Sequence, residues 1–176
     1  YDLLDKEGKE ILDDNGQPIH QRYLLSLQDM DRSMHLAEMI EAGITTFKIE
    51  GRLKNVSYVK NVVRDYSMAL DSLVSRQSDR YERGSYGTVI GGFTPDTRKT
   101  FNRGYTELYI DGKRGKWACM DAAKSMGEEV GTVASLNHDK SSLTVKFGSR
   151  DIVLANGDGF SFVAKDGSVT GFRGDV

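Results

Sequence analysis

A set of apolar residues spaced like one face of a helix constrains the fold of this chain more than any other feature. These residues recur at steps of three and four: Val56, Val59, Val63, Tyr66, Leu70 and Leu73. That spacing is typical of an amphipathic α-helix, and Asn55 stands where a capping side chain is needed. Because such a helix is stable only when its apolar stripe is covered, the pattern predicts a helix packed on a sheet.

The segments before this helix predict the sheet. Residues 23–27 form a nearly continuous apolar run, as expected of a strand covered on both faces. Asp31 or Ser33 can cap a first helix, and Gly43 stands where a left-handed residue would end it. Residues 44–50 are rich in β-branched and aromatic side chains and predict a second strand. The order strand–helix–strand–helix is typical of a parallel sheet.

Beyond residue 80 the pattern changes to short alternating runs separated by turns. Residues 96–101 predict one short helix, because Thr94 and Pro95 form a typical helix start. The later runs predict a small barrel. We therefore predict an α+β fold: an incomplete (β/α)-barrel-type βαβα segment over residues 1–80, a connecting segment over 81–128 and a small C-terminal β-barrel over 129–176.

The composition of the chain and its first residue limit the classes of protein to which it can belong. The formal net charge is −2, so any contact with nucleic acid would need a local basic patch. The single Cys119 and the lack of a long apolar run predict a cytoplasmic protein that does not enter a membrane. The chain begins at Tyr1 without a methionine, and we expect further sequence upstream. Two strands and two helices would leave strand edges open, for a larger sheet or for self-association.

The segment 47–52 is the first candidate site. In a strand, Lys48 and Glu50 would share one face, opposite Phe47 and Ile49. They would then point towards the carboxyl end of the sheet, where α/β folds bind ligands, and Arg52 could grip an anion there. The alternative is that the Lys–Glu pair only neutralises itself, and the pattern alone does not decide between the two.

Ser26 and Asp29 would lie near the same rim, at the end of the preceding strand. Asp29 could equally be a helix cap, and Ser26 has no neighbouring histidine that would make it a nucleophile. The three histidines show no metal-binding spacing, and Cys119 is interpreted as a packed thiol. No metal site is predicted in this chain.

Asn102 and Arg103 form the third candidate site, inside the sequence Phe-Asn-Arg-Gly-Tyr at residues 101–105. Aromatic rings around an arginine and a glycine could hold a nucleotide or a phosphate. The same residues could instead fill the space between two domains, with the glycine supplying a bend.

Several of these motifs together resemble the peptidase U32 family, also called collagenase-like proteases. The resemblance is carried by residues 23–26 with Asp29, by residues 42–44 and 47–52, and by residues 101–106. Residues 131–159 are similar to the family's C-terminal barrel, which is like the second domain of translation elongation factors. The resemblance covers nearly the whole chain, and Lys48, Glu50 and Arg52 match the family's signature without an assigned catalytic role.

The resemblance implies that this chain is the C-terminal part of an enzyme that hydroxylates tRNA or ribosomal RNA. The historical name implies a peptidase instead, and a non-catalytic module that docks RNA or protein is a third hypothesis. The family also implies iron or an iron–sulfur cluster bound by cysteines that precede the segment seen here. We therefore expect no cofactor in this chain, and we expect the chain to be inactive by itself.

Overall fold

The computed structural model divides the chain into two compact units, Leu27–Ala118 and Tyr1–Ser26 with Cys119–Val176. The predicted boundaries near residues 80 and 128 concern the domains of a longer protein and stay a prediction. The structure describes residues 2–20, 23, 25–86, 92–119, 125–139, 141–149, 151–164 and 168–174.

The first helical segment of the unit Leu27–Ala118 is a short 3₁₀ turn, Ser33–His35, followed by helix α1, Leu36–Glu41. The Asp31 carboxylate accepts a hydrogen bond from the Ser33 amide at 2.9 Å and so fixes the entry to this segment. Gly43 ends it with a φ of 93°, and its amide donates to the Ile40 carbonyl at 2.9 Å. The predicted helix and its stop at Gly43 are confirmed.

Helix α2, Val56–Arg76, begins where the sequence predicts. The Asn55 side chain accepts a hydrogen bond from the Tyr58 amide at 2.8 Å, so the predicted cap is confirmed. The predicted stripe is wrong in its first half, where Val56, Val59 and Val63 are exposed and Tyr58 and Val62 are buried instead. In its second half, Tyr66, Leu70 and Leu73 are half-buried. The hydroxyl of the half-buried Tyr66 accepts a hydrogen bond from the Arg32 amide. The contact with residues 31–32 therefore sets which face of α2 is covered.

A parallel strand pair holds this unit together. Strand β1, Asp29–Met30, pairs with strand β2, Tyr105–Thr106, and both helices lie between them in the chain. The parallel crossover is thus present, but its second strand is not the predicted one. Residues 44–50 form no strand, because no described segment pairs with them, and a strand exists only where its backbone groups find partners.

Two further local predictions are corrected. Of the described residues in 23–27, only Leu27 makes a bridge, antiparallel to Ala118, and Leu24 lies outside the described residues. Residues 96–101 form turns rather than a helix. Side-chain and backbone acceptors there bind local donors, such as the Asp96 carboxylate with the Arg98 amide, which competes with the helical pattern.

The other unit contains two antiparallel hairpins. Strand β3, Gly131–Leu136, pairs with β4, Leu143–Phe147, and β5, Asp158–Val163, pairs with β6, Val169–Gly174. Within the described residues these are two open, two-stranded sheets, so the predicted closed barrel is not found. The predicted run at residues 152–154 forms no strand that could join the hairpins into one sheet. Closure needs every strand to have two neighbours.

Few apolar side chains are buried. In the described part of the chain these are Leu36, Tyr58, Val62 and Ala118. Four polar side chains are buried as well: Ser26, Thr100, Asn102 and Thr106. The core of the unit Leu27–Ala118 is therefore built around hydrogen-bonded polar groups, which must be paired to be tolerated there. None of the described helices is long and apolar enough to cross a membrane.

The hairpin β5–β6 yields a first prediction. A Cβ added at Gly171 would lie 2.1 Å from the Phe160 carbonyl oxygen, which is backbone and cannot move aside, whereas a Cβ at Gly159 would meet nothing within 4 Å. We expect Gly171→Ala to destabilise this hairpin by about 2 kcal/mol or more, as overpacking does, and Gly159→Ala to have little effect. Amide hydrogen exchange of both strands measures it; equal exchange in the two variants would contradict the geometry.

Candidate functional site

A buried ion pair joins three separate segments of the unit Leu27–Ala118. The Lys54 ammonium lies 2.6 Å from the Asp29 carboxylate, and the two side chains are only 11% and 9% exposed. The same ammonium donates to the Phe101 carbonyl at 3.1 Å and lies 4.3 Å from the centre of the Tyr58 ring. The Arg103 amide also donates to Asp29, at 3.3 Å. We call Asp29, Lys54, Tyr58 and Arg103 the Asp29 cluster.

Local structure places each member of the cluster. Asp29 begins β1, where its amide donates to the Gly104 carbonyl at 2.9 Å. Lys54 lies in the turn before α2, where its amide donates to the Gly51 carbonyl at 3.0 Å. Leu53 in that turn has a φ of 63°, a conformation that a branched residue rarely adopts. The turn therefore places the Lys54 side chain against Asp29 at the cost of a strained backbone conformation.

Asn102 fixes the loop that carries Arg103. Its side chain is 2% exposed, and its amide nitrogen donates to the carbonyls of Arg98 and Thr100 at 2.9 and 2.8 Å. Its side-chain oxygen accepts from the Gly104 amide at 2.9 Å. The Asn102 side chain is thus engaged in internal hydrogen bonds. The ligand-binding roles predicted for Asn102 and Arg103 stay predictions. The Arg103 guanidinium lies 4.0 Å from Asp29 and its side chain remains 33% exposed.

Three tyrosines in or around the Asp29 cluster stay protonated at neutral pH: Tyr58, Tyr66 and Tyr105. Burial, reinforced by the nearby Asp29 charge, raises the pKa of Tyr58. Burial raises the pKa of Tyr66 to about 12, and it also raises the pKa of Tyr105. At neutral pH these hydroxyls are therefore hydrogen-bond donors. The Tyr66 hydroxyl donates to the Asp31 carboxylate at 3.0 Å, and the Tyr105 hydroxyl donates to the Thr97 carbonyl at 2.8 Å.

A pair of carboxylates, Asp31 and Asp65, lies beside this cluster. Burial, and then the charge of Asp31, raises the pKa of Asp65, while a hydrogen bond from Ser33 works in the opposite direction. Asp31 itself is held by the Tyr66 hydroxyl and the Ser33 amide. Asp31 therefore accepts hydrogen bonds directly after the end of β1.

His35 is held between two carboxylates. Its Nδ1 lies 2.7 Å from Glu38, and its Nε2 lies 3.2 Å from Glu107, a charge contact without hydrogen-bond geometry. The bond to Glu38 raises the pKa of His35; burial opposes the shift, and the Glu107 carboxylate adds to it. His35 therefore clamps α1 to the segment after β2 when it carries a proton.

The His35 clamp makes stability depend on pH. Because the folded-state pKa is raised, the contribution is complete below about pH 6.5, the unfolded value, and is lost as pH rises through the folded pKa. We expect the wild type to exceed His35→Gln in stability at about pH 6 and to lose that advantage at about pH 9. Urea unfolding at both pH values measures this, and an advantage that grows with pH would contradict it.

Lys48 and Glu50 form an ion pair with each other. The Lys48 ammonium lies 2.6 Å from the Glu50 carboxylate, but the two side chains are 81% and 73% exposed. Arg52 is exposed in the turn that follows. Of the two apolar neighbours, Phe47 is half-buried beside the helices and Ile49 is 40% exposed. The pair thus neutralises itself in solvent, and its predicted role as a site stays a prediction.

Ser26 belongs to the other compact unit. It is buried, its amide donates to the Tyr23 carbonyl at 2.9 Å, and its carbonyl accepts from the Cys119 amide at 2.8 Å. Cys119 is a half-buried free thiol. Across the described ranges, no three side chains of His, Cys, Asp or Glu lie close enough to hold a metal ion.

Sequence reasoning proposed Asp29 and Arg103 but missed Lys54, which binds the Asp29 carboxylate and the Phe101 carbonyl. Lys54 is 25 residues from Asp29, and nothing in its neighbourhood marks it beyond its place before the Asn55 cap. The Arg103–Asp29 bond likewise spans 74 residues. Only the parallel pairing of β1 with β2 brings these segments together.

Comparison with known proteins shows similarity over most of the chain rather than at single motifs. The model of peptidase family U32 matches residues 1–118. The 23S rRNA 5-hydroxycytidine C2501 synthase of Escherichia coli is 37% identical over 94% of this chain and 24% of its own length. The tRNA hydroxylation protein P1 of Bacillus subtilis is 26% identical over 83% of the chain and 33% of its own. A collagenase of Porphyromonas gingivalis is 32% identical over 66% of the chain and 26% of its own.

This chain spans about a quarter of the length of the first two curated relatives it matches, the synthase and the collagenase. No solved structure matches it significantly.

Proposed function

This chain belongs to peptidase family U32, and we propose that the protein of which it forms a part is an enzyme that hydroxylates ribosomal or transfer RNA. The observation that carries the proposal is the match to the 23S rRNA 5-hydroxycytidine synthase, at 37% identity over 94% of the chain. A match of that extent necessarily includes most of residues 119–176, which lie outside the family match.

The extent of each match favours RNA over peptide as the substrate. The two relatives named for RNA hydroxylation cover 94% and 83% of this chain, whereas the collagenase covers 66%. The RNA relatives therefore share more of the chain than the collagenase does. An RNA substrate also suits a cytoplasmic protein, which is where we place it.

The architecture supports a place for this chain inside a larger enzyme. We assign the crossover from β1 to β2 to a (β/α)-barrel, because parallel strands joined through helices are the unit of that fold. We assign the hairpins β3–β4 and β5–β6 to a small β-barrel, since hairpins with open edges are the parts from which such barrels close.

Any iron or iron–sulfur cluster of the enzyme would take its ligands from outside the described residues. The donor set here does not fit one: Cys119 is a single thiol, and no three metal-binding side chains converge in the described ranges. The residues of this chain then serve to hold and orient the RNA rather than to supply the oxidising centre.

Arg103 is the residue of the Asp29 cluster that we assign to RNA. The Asp29–Lys54 pair fixes the loop that carries Arg103. The Asn102 side chain is occupied by internal hydrogen bonds, whereas the Arg103 side chain is one-third exposed. A guanidinium matches a phosphate or a nucleobase edge through two parallel hydrogen bonds. The buried pair next to it keeps the Arg103 backbone in place.

Mass spectrometry of nucleosides tests the proposal. Ribosomal and transfer RNA from a strain that lacks the full-length gene should lose one hydroxylated nucleoside, and the restored gene should return it. A peptidase would leave all nucleosides unchanged while the purified protein cleaved a collagen substrate. A docking module would change neither, so both outcomes would contradict RNA hydroxylation.

A further inference from the structure

Residues 109–117, here called the basic loop, contain three cationic residues and one acidic residue, Asp111. Lys113, Arg114 and Lys116 are all exposed. Within the described residues, none of the three forms an ion pair, whereas other cations such as Lys48, Lys54 and Arg83 lie 2.6 Å from carboxylates. In a chain with a net charge of −2, this is a local patch that can attract an anion.

The basic loop is firmly attached to the strands of its unit. At its end, the Gln28 amide donates to the Trp117 carbonyl at 2.9 Å, next to the bridge between Leu27 and Ala118. Just before its start, Arg32 donates to the carbonyls of Glu107 and Leu108. Its first turn closes through the Tyr109 amide, which donates to the Lys113 carbonyl at 3.0 Å. The cations are thus presented from a fixed backbone.

Aromatic rings stand at both ends of this loop. The Tyr109 ring is 56% exposed, and Tyr109 has a φ of 63°. The Arg114 guanidinium lies 5.0 Å from the centre of the Trp117 ring, in cation–π contact. Unpaired nucleobases stack on such rings and on guanidinium planes, whereas bases inside a duplex are already stacked on each other.

A cavity of about 500 Å³ lies between this loop and the end of β1. That volume lies within the range of small-ligand sites, and it suits a single nucleotide. Three cations line it, Lys113, Arg114 and Lys116, together with three carboxylates, those of Asp31, Glu107 and Asp111. A phosphate would be repelled by those carboxylates, but the amino group of a nucleobase donates to them.

We propose that the basic loop binds single-stranded RNA, with phosphates on Lys113, Arg114 and Lys116 and one unpaired base in the cavity beside Asp31 and Glu107. The inference rests on the proposed function for the choice of RNA, and it goes beyond it by naming the contact surface. Stacking and a cavity for one base favour a single strand over a duplex or an acidic protein.

Fluorescence anisotropy of the full-length protein with a labelled single-stranded RNA of about 16 nucleotides tests the inference. The variant Lys113→Ala/Arg114→Ala/Lys116→Ala should bind at least about tenfold more weakly, and its salt dependence should be shallower by about 2 in the log–log slope. The control Lys6→Ala/Lys9→Ala/Lys60→Ala removes the same charge from other exposed positions and should bind within about twofold of the wild type. Circular dichroism verifies that both variants fold.

A second variant tests stacking separately from charge. Tyr109→Leu keeps a large side chain at the same backbone position and should weaken binding by about fivefold or more, because one stacked base is lost. Unlabelled duplex RNA and polyglutamate should compete poorly with the labelled strand.

Three outcomes would overturn the inference. Equal binding by the loop variant and the control would show that RNA lies elsewhere, while leaving RNA hydroxylation intact. Equal competition by polyglutamate would show a general anion surface. If the wild-type protein bound no RNA, and deletion of its gene left every nucleoside unchanged, both the inference about the basic loop and the proposed function would be wrong.

Discussion

Replacing Lys54 by methionine is expected to destabilise the unit Leu27–Ala118 by about 3–5 kcal/mol, because the Asp29 carboxylate would remain buried without its partner. The pair is 2.6 Å apart with side chains 11% and 9% exposed, and Lys54 also binds the Phe101 carbonyl. Methionine replaces the aliphatic part of the lysine side chain and lacks only the ammonium group, so the loss of charge and hydrogen bonds dominates. Urea unfolding of the purified protein measures the change.

The chain supplies a matched control for this prediction. The Lys48 ammonium and the Glu50 carboxylate are also 2.6 Å apart, but their side chains are 81% and 73% exposed. Exposed pairs contribute about 0–1 kcal/mol, so Lys48→Met should change stability little. Equal losses of stability in the two variants would show that burial does not increase the contribution of the Asp29–Lys54 pair to the free energy of unfolding.

A double variant separates the pair from its surroundings. Asp29→Asn/Lys54→Met removes both charges of the pair, so neither is left buried without the other. It should be less destabilised than the sum of the two single variants by about 1–3 kcal/mol. Strict additivity would mean that the two side chains do not interact in the folded protein.

The helix ends could be predicted from sequence because each depends on neighbouring residues. Gly43 ends α1 through its own positive φ, and the Asn55 side chain binds an amide three residues away. Such contacts need no tertiary information. The buried face of α2 needed more: it is set by the contact of Tyr66 with Asp31 and Arg32, which no local pattern shows.

The second strand could not be placed because strands are defined by their partners. Residues 44–50 have the composition of a strand, yet the chain pairs β1 with Tyr105–Thr106 instead. Once that pairing is known, Asp29 and Arg103 become neighbours. The same limit explains why Lys48 was predicted for the site and Lys54 was not: the two lysines differ in tertiary contacts, not in local sequence.

If the parent protein hydroxylates RNA as proposed, Arg103→Ala should cost little stability and most of that activity. The Arg103 backbone amide still binds Asp29, and the Asp29–Lys54 pair stays intact. The guanidinium, one-third exposed and 4.0 Å from Asp29, is what the variant removes. Loss of a charged hydrogen-bond donor to substrate should lower hydroxylation about tenfold or more. Arg76→Ala, which removes an exposed arginine bonded within its own helix, is the control.

Both variants can be compared in one measurement: the amount of the hydroxylated nucleoside in ribosomal and transfer RNA from cells whose only copy of the gene carries either change. We expect the nucleoside at wild-type level with Arg76→Ala and nearly absent with Arg103→Ala, with equal amounts of folded protein in the two strains. Wild-type hydroxylation with Arg103→Ala would contradict the role of the Asp29 cluster. Unchanged nucleosides after complete deletion of the gene would contradict RNA hydroxylation itself.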